Sequence, residues 1–235
     1  MSSLLFFRKN QNLGREIFLS EEEIKHLKSL RILKAKKPFE IEFRDGKGLS
    51  VKYLFESEKL PGREIERREF PLENEELSVL MAIPKPGKLE FWLQKGTELG
   101  ITKFYFTVFQ YSERKELNFN RCFRVISEAC AQSKRISIPE IQLFSNLEEV
   151  FSVLGQTNFI YLHPYSHNVL DLSNYNISSC LPIIGPEAGF HDLEISYFSK
   201  KNIPSFSLGK NILRMETAAI AITSILKYER SKLNG

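Results

Sequence analysis

The sequence predicts an α/β protein in two parts: a small β-rich domain over residues 1–71 and a larger α/β domain over residues 72–235. Two observations carry this prediction. Before residue 71, apolar residues recur with a period of two, as in half-buried strands, whereas strand-like and helix-like segments alternate after it. Near the boundary, Lys59–Arg68 is nearly all charged after Pro61-Gly62, and a polar, turn-prone stretch follows it. The alternation in the second part is typical of a mostly parallel sheet.

A hairpin is the clearest element of the first domain. Phe39–Phe43 and Leu49–Phe55 flank the turn signal Asp45–Gly48, and apolar residues alternate along both arms. Before the hairpin, Ser20–Glu23 has the pattern of a helix capping box. The apolar stripe of the helix that it opens is Ile24, Leu27 and Leu30. A short helix with hairpins predicts a small barrel-like module.

The second domain is predicted from the switch between extended and helical spacing. Its strands are expected at Ser78–Ile83, Ile101–Phe109, Ile136–Leu143, Phe159–Leu162, Leu181–Ile184 and Phe206–Leu208. Its helices are expected at Pro86–Leu99, Arg121–Lys134, from Ser145–Glu148 onward, Asp192–Lys200 and Ile212–Arg230. The aromatic residues within these regular apolar patterns are expected in the core: Trp92, Phe104, Tyr105 and Phe106. Asp192 is expected to cap its helix.

The positive charge of the chain is concentrated in its first part. Residues 1–71 hold 16 Lys and Arg against 12 Asp and Glu, a net charge of +4, and the remaining residues hold 17 of each sign. A basic region beside a neutral one predicts a domain that binds a polyanion, joined to a second domain that carries the activity. The alternative is a chance imbalance on a solvated surface.

Composition excludes several other classes of protein. Hydrophobic residues at 42% and charged residues at 26% are typical of a folded globular chain. No apolar run approaches the roughly 18 residues of a membrane span, and Leu4–Phe7 is too short for a signal-peptide core. The three cysteines form neither a disulfide framework nor a metal motif, and Pro164 prevents His163 and His167 from forming a helical metal pair. We therefore expect a soluble cytoplasmic protein with no metal and no membrane attachment.

Three loops that follow predicted strands are the expected place for chemistry, because ligands bind at the carboxyl ends of strands in such sheets. They begin at His163, at Gly185 and at Leu208. Gly185, Gly189 and Gly209 permit close backbone approach to a ligand and left-handed conformations, although a single loop of this kind is more often a tight turn. Neither glycine-rich loop fits a dinucleotide fingerprint or a phosphate-binding loop, which disfavours NAD and ATP.

Several segments together resemble a known family, the SPOUT-superfamily methyltransferases that modify N3 of a uridine in 16S ribosomal RNA (the RsmE family). The matching segments, in order, are Gln94–Gly100, Ser112–Arg114, Glu128–Arg135, Ile184–Phe190 and Leu208–Ala219, with His26–Arg31 and Asp45–Gly48 in the first domain. The sequence departs from the family pattern at Lys37, Ala188, Lys210-Asn211 and Met215. The resemblance covers nearly the whole chain.

The resemblance implies details of the fold that hydrophobic periodicity alone does not predict. It implies a PUA-like β-barrel followed by a SPOUT-type parallel sheet with a deep trefoil knot at its C-terminal end. It also implies S-adenosyl-L-methionine as the cofactor, 16S ribosomal RNA of the small ribosomal subunit as the partner, and a homodimer whose formation completes the active site. The apolar final helix, Ile212–Arg230, is the expected dimer contact, and the alternative is a fully buried core helix.

The resemblance also nominates site residues. The catalytic candidates are Arg114, Glu128, Arg135 and Arg214, and for each a helix-end ion pair is the alternative. The cofactor-binding candidates are Leu162, His163, Gly185, Pro186, Glu187, Gly189, Leu208, Gly209, Ile212, Leu213, Glu216 and Thr217. Glu187 either faces the sulfonium or amino acid part of the cofactor or caps the following helix. The concentration of positive charge in the first domain, rather than the resemblance, gives the candidate RNA-binding residues Arg8, Lys28, Arg31, Lys34 and Lys36.

Two other classes of function stay open. One is an RNA-binding protein that has lost catalysis, and the other is a knotted methyltransferase that acts on a different RNA base. Cofactor binding distinguishes the first class from an enzyme, and identification of the modified nucleoside distinguishes the second.

Overall fold

A computed structural model describes residues 4–9, 11–35, 37–72, 76–155, 157–170 and 179–233 of the chain. The chain divides into two compact units, one of Met1–Glu73 with Cys130–Ile138 and the other of Asn74–Ala129 with Pro139–Gly235. No helix among the described residues is both long and apolar enough to cross a membrane. The fold is mixed α/β, with a mostly antiparallel sheet in the first unit and a parallel sheet in the second.

The first unit is built on a five-stranded sheet. Its strands are β1 (Leu4–Phe7), β2 (Glu16–Ile17), β3 (Phe39–Arg44), β4 (Leu49–Phe55) and β5 (Gly62–Glu69). They lie in the order β1-β3-β4-β5-β2, and only the β1–β3 pair is parallel. A helix, α1 (Glu21–Ser29), and a short 3-10 helix (Ile32–Ala35) precede β3.

The predicted hairpin and capping box are confirmed. Phe39 pairs with Phe55 and Arg44 with Ser50, and one face of the hairpin fills the core of the unit with fully buried side chains: Ile41, Phe43, Val51, Tyr53 and Phe55. The Ser20 hydroxyl accepts a hydrogen bond from the backbone N–H of Glu23, whose carboxylate accepts one from the Ser20 N–H.

Two other features of the first unit were not predicted from the sequence. Of the expected stripe on α1, only Leu27 is buried; Leu30 is half exposed because it is the C-cap, where the chain leaves the helix. The segment 130–138 is tied to β3 by Arg44, whose guanidinium donates to the carbonyls of Lys134 at 2.8 Å and Arg135 at 2.5 Å.

The second unit contains a six-stranded sheet in which every pair is parallel, as predicted from the strand and helix alternation. Its strands are β6 (Ser78–Met81), β7 (Lys103–Thr107), β8 (Glu140–Phe144), β9 (Asn158–Leu162), β10 (Cys180–Ile184) and β11 (Ser205–Phe206). They lie in the order β11-β9-β10-β6-β7-β8. The adjacent strands β9, β10 and β11 therefore end at the same edge of the sheet.

The remaining helices are α2 (Pro86–Leu99), α3 (Phe119–Gln132), α4 (Leu147–Leu154), α5 (Asp192–Lys200) and α6 (Met215–Leu233). The bounds of α2 agree with the prediction because Pro86 opens it and Gly100, at φ 102°, closes it in the left-handed conformation. The expected aromatic core is confirmed, since Trp92, Phe104, Tyr105 and Phe106 are all buried.

The predicted start of the final helix and the predicted N-cap of α5 are wrong. The final helix begins at Met215 rather than at Ile212, because the segment that follows the left-handed Gly209 is irregular loop up to residue 214. Asp192 is not the N-cap of α5. His191 has that role: its Nδ1 accepts a hydrogen bond from the Leu193 N–H at 3.1 Å, and Glu194 completes the box.

Candidate functional site

A cleft of about 950 Å³ opens in the second unit at the carboxyl ends of β9, β10 and β11. Three loops line it: the turn after Leu162, the loop from Gly185 to Phe190, and the segment from Leu208 to the start of α6 at Met215. These are the three loops expected from the sequence, and the parallel sheet brings them together because its strands end at one edge. A cleft of this size accommodates a nucleoside-sized ligand.

The loop that follows β10 is held down by an aromatic side chain. Phe190 is buried, and its ring packs against the rings of Phe109, Tyr161 and Phe198, with centroids 5.4, 5.6 and 5.2 Å away. A Cβ atom at Gly185 would lie 3.0 Å from this ring. A glycine is therefore required at residue 185 because the loop packs against the Phe190 ring. The left-handed conformation that was expected for Gly185 is not found.

The other two loop glycines do adopt left-handed conformations. Gly189 has φ 85° and Gly209 has φ 116°, and a Cβ atom at either would meet nothing within 4 Å. At Gly209 the backbone itself forms the wall of the cleft. Ala188 is not left-handed, so the alanine in the loop after β10 introduces no backbone strain.

A cluster of charged side chains forms one wall of the cleft. Lys88, in the first turn of α2, donates a 2.6 Å hydrogen bond to Oε1 of Glu187 and lies 3.8 Å from Oε1 of Glu216 on α6. The hydrogen bond from Lys88 lowers the pKa of the Glu187 carboxyl below its usual value, so Glu187 is ionised at neutral pH. One ammonium group is thus shared by two carboxylates.

Glu216 is the more unusual of these two carboxylates. The residue is only 8% exposed, and its Oε2 atom is buried without a hydrogen-bond partner among the described residues. Burying a carboxylate oxygen without a donor is costly, so such an atom in a native fold calls for an explanation. Its neighbours Met215 and Ala218 both line the cleft.

A smaller cavity of about 80 Å³ adjoins the cleft. The two share a wall formed by Pro186, Glu187, Ala188 and Met215. The exposed Arg114 lines the smaller cavity, together with Tyr111 and with Lys85, whose ammonium pairs with Glu113 at 3.3 Å. This arrangement places cationic side chains beside the cleft, where they can stabilise negative charge on a second ligand.

The structure brings most of the predicted cofactor-binding residues to the cleft. The residues that line it are Leu162, His163, Gly185, Pro186, Glu187, Gly189, Leu208, Gly209, Ile212 and Leu213. The other two lie on the first turn of α6, where Glu216 contacts the cleft-lining Lys88 and Thr217 is exposed.

Two of the four predicted catalytic residues line the cavities described above. Arg214 lines the cleft and Arg114 the smaller cavity. Glu128 is exposed on α3, and Arg135 belongs to the segment grouped with the first unit; neither lines either cavity. Their chemical roles stay predictions.

The predicted RNA-binding side chains of the first unit differ in their availability. Arg8 is occupied within the fold: it makes two hydrogen bonds to the Glu23 carboxylate, at 2.9 and 2.6 Å, and its guanidinium lies 4.5 Å from the centre of the Phe43 ring. Lys28, Arg31 and Lys34 are exposed. Lys36 lies outside the described residues.

Lys88 is the main site residue that the sequence did not indicate. It follows Pro86-Gly87 at the start of an ordinary amphipathic helix, and the Glu187 that it contacts is 99 residues away along the chain. Only the tertiary fold brings the two together. No group of three His, Cys, Asp or Glu side chains suited to a metal ion is found in the part of the chain that the structure describes.

The chain is similar to known RNA methyltransferases in both sequence and fold. A family model described as an RNA methyltransferase domain matches residues 71–227. A ribosomal RNA small subunit methyltransferase E from Rickettsia conorii is 34% identical over 157 residues, which are 64% of this chain and 63%, less than two thirds, of that protein.

Two solved structures share the fold over nearly the whole chain. A ribosomal RNA small subunit methyltransferase E from Neisseria gonorrhoeae, bound to S-adenosyl methionine, is 21% identical with a TM-score of 0.79, covering 97% of this chain and 98% of that one. A predicted RNA methyltransferase from Thermotoga maritima is 27% identical with a TM-score of 0.74, covering 97% and 99%.

Proposed function

The chain belongs to the family of RNA methyltransferase domains, and from this premise we propose that it methylates N3 of a specific uridine in 16S ribosomal RNA, with S-adenosylmethionine as the methyl donor. The names of relatives that act on small-subunit ribosomal RNA support this substrate. The observation that carries the proposal is the cleft, because ten of the twelve residues nominated for the cofactor line one cavity.

The cleft suits S-adenosylmethionine in shape and in charge. Apolar side chains and backbone near Leu162, Leu208 and Leu213 provide a surface for the adenine ring. The left-handed Gly209 leaves open space beside its backbone, and Glu216, next to the cleft-lining Met215, has a buried acceptor oxygen without a hydrogen-bond partner among the described residues. The bound cofactor supplies an electrophilic methyl group on a sulfonium.

The protein's own contribution to catalysis is positioning and electrostatic stabilisation. Alignment of the nucleophilic nitrogen with the methyl group supplies much of the rate without a metal or a covalent intermediate. Uracil N3 carries a proton that must leave, and the ring then bears negative charge on its oxygens. We assign Arg114 and Arg214 to the stabilisation of that charge, because they line the two adjoining cavities.

The remaining parts of the proposal concern assembly. We propose a homodimer in which Glu128 and Arg135 of a second copy complete the site, since neither residue lines the cleft or the smaller cavity described above. We further propose that the parallel sheet carries the trefoil knot of the SPOUT fold. Residues 1–71 would form a PUA-like domain that holds RNA through Lys28, Arg31 and Lys34, while residues 72–235 form the methyltransferase domain.

Labelled methyl transfer tests this function directly. Unmodified small ribosomal subunits are incubated with the protein and methyl-labelled S-adenosylmethionine, and the RNA is digested to nucleosides. Label in 3-methyluridine supports the proposal, and label in another nucleoside favours a methyltransferase of different base specificity. Cofactor binding without label in RNA favours an RNA-binding protein that has lost catalysis.

A further inference from the structure

The charges around the cleft do not balance. Lys88 and Arg214 line it as cations, Glu187 and Asp192 line it as anions, and Glu216 contacts Lys88 from behind the wall. These two cations and three anions leave one net negative charge, and Glu216 is the group that supplies the excess. Lys85, which approaches Glu187 at 3.8 Å, lines the smaller cavity together with Glu113 and Arg114, and none of these three residues is part of this count.

The groups around Glu216 compensate its negative charge only weakly. Its Oε2 accepts no hydrogen bond from a described residue, and its Oε1 is 3.8 Å from an ammonium group that donates instead to Glu187 at 2.6 Å. Because the residue is only 8% exposed, water screens it weakly, and its field acts on whatever occupies the neighbouring cleft.

We propose that Glu216, with Lys88 and Glu187, forms a negatively charged wall that makes the cleft prefer the cationic methyl donor to its neutral product. This inference rests on the proposed function. During transfer the bond between methyl carbon and sulfur breaks, and its electron pair stays on sulfur. The sulfonium becomes a thioether, and the bound molecule loses one positive charge as N3 gains the methyl group and its proton leaves to solvent.

The wall therefore attracts the cofactor more strongly before methyl transfer than after it. Before transfer, the wall attracts the extra positive charge of S-adenosylmethionine; afterwards, S-adenosylhomocysteine lacks that charge and the attraction is lost. A wall charge at about 8 Å from a unit cation is worth roughly a two- to thirtyfold change in affinity, depending on the local dielectric. The wall residues are specificity-determining residues that favour binding of fresh cofactor and release of spent cofactor.

The test is the ratio of two dissociation constants, measured by calorimetry without RNA. S-adenosylhomocysteine, S-adenosylmethionine and sinefungin, an unreactive analogue with an amine in place of the sulfonium group, are titrated into the full chain. We expect the neutral ligand to bind more weakly than both cationic ligands. Glu216→Gln should lower the preference for the cations by roughly two- to thirtyfold, and Glu187→Gln should lower it less because that side chain is 40% exposed.

Glu229→Gln is the matched control. It removes the same charge from the same helix, but Glu229 pairs with Lys232 and is about three and a half turns from Glu216. We expect its ratio to equal that of the unaltered protein. Because both ligands bind the same folded protein, a small loss of stability cancels in the ratio; if Glu216→Gln does not fold, the loop variant Glu187→Gln decides.

The outcomes separate this inference from the proposed function. If the unaltered protein binds none of the three ligands, the proposed function fails. If it binds them but the preference is unchanged in folded Glu216→Gln and Glu187→Gln, the charged wall has no role in discrimination and only the present inference fails.

Discussion

The ring of Phe190 lies against the backbone of Gly185, so that a Cβ atom at residue 185 would be 3.0 Å from two of the ring's carbon atoms. Phe190 cannot yield easily, because Phe109, Tyr161 and Phe198 surround the ring. The glycine that opens the loop after β10 is therefore a packing requirement, and through Phe190 it fixes the position of Glu187 and Gly189 in the cleft wall.

The first prediction concerns this contact. Gly185→Ala should lower the free energy of unfolding by about 1 to 3 kcal/mol, because it overpacks a close contact. Gly87→Ala is the control: a Cβ atom there meets nothing within 4 Å, and stability should be unchanged or rise by up to about 1 kcal/mol. Urea denaturation of both variants measures the difference, and equal midpoints would contradict the packing role of Gly185.

The second prediction concerns the glycine wall of the cleft. Gly209→Val should weaken S-adenosylhomocysteine binding at least tenfold, since it adds a branched side chain where backbone lines the cleft and strains a left-handed residue. Gly155→Val is the matched control, because Gly155 is also left-handed, has equally open surroundings and lies at the end of α4 outside the cleft. Calorimetry of the folded variants distinguishes local strain from occupation of the cleft. An equal loss of S-adenosylhomocysteine affinity in both variants would show that backbone strain alone is responsible.

The third prediction concerns the basic surface of the first unit. Lys28→Ala combined with Arg31→Ala should weaken binding of 16S ribosomal RNA and reduce the slope of log affinity against log salt by about 1.4 to 1.8, if both contact phosphate. Lys59→Ala with Arg63→Ala removes the same net charge from exposed positions elsewhere in this unit. Filter binding at several salt concentrations measures both slopes. Identical changes in the two double variants would argue against a localised RNA surface.

The fourth prediction concerns the cysteines. Burial raises the pKa of the Cys130 thiol to about 12 and that of Cys180 to about 11, and burial also raises the pKa of Cys122. The thiolate is thus disfavoured in the folded state, and the stability gained from the protonated thiols is present below the unfolded pKa of about 8.5 and is lost as pH rises toward 11 to 12. At pH 8, a disulfide reagent should label the native protein slowly and all three thiols after denaturation. Rapid native labelling would show that these thiols are accessible.

Elements with strong local signals were predictable from the sequence. Pro86 and Gly100 delimit α2, because each acts through its own backbone: proline fits the first turn and glycine closes the last. The hairpin of β3 and β4 was predictable for a similar reason, since its alternation and its turn lie within about twenty residues.

The errors arose where a local signal had two interpretations. Ile212–Arg214 continues the apolar spacing of α6, yet the left-handed Gly209 sets a different path before the helix begins. His191 and Asp192 can both cap α5, and the histidine ring is the one that accepts the backbone hydrogen bond. The charged wall could not be predicted from local sequence patterns. The contacts of Lys88 depend on the packing of α2 beside the loop of Glu187 and the start of α6.

The most direct test of the account is mass spectrometry of 16S ribosomal RNA from a strain that lacks the gene, complemented with the unaltered protein or with Gly209→Val. We expect 3-methyluridine to disappear from one site in the deletion strain, to return with the unaltered protein and not to return with the variant. Persistence of 3-methyluridine in the deletion strain, or loss and recovery of a different methylated nucleoside, would contradict it.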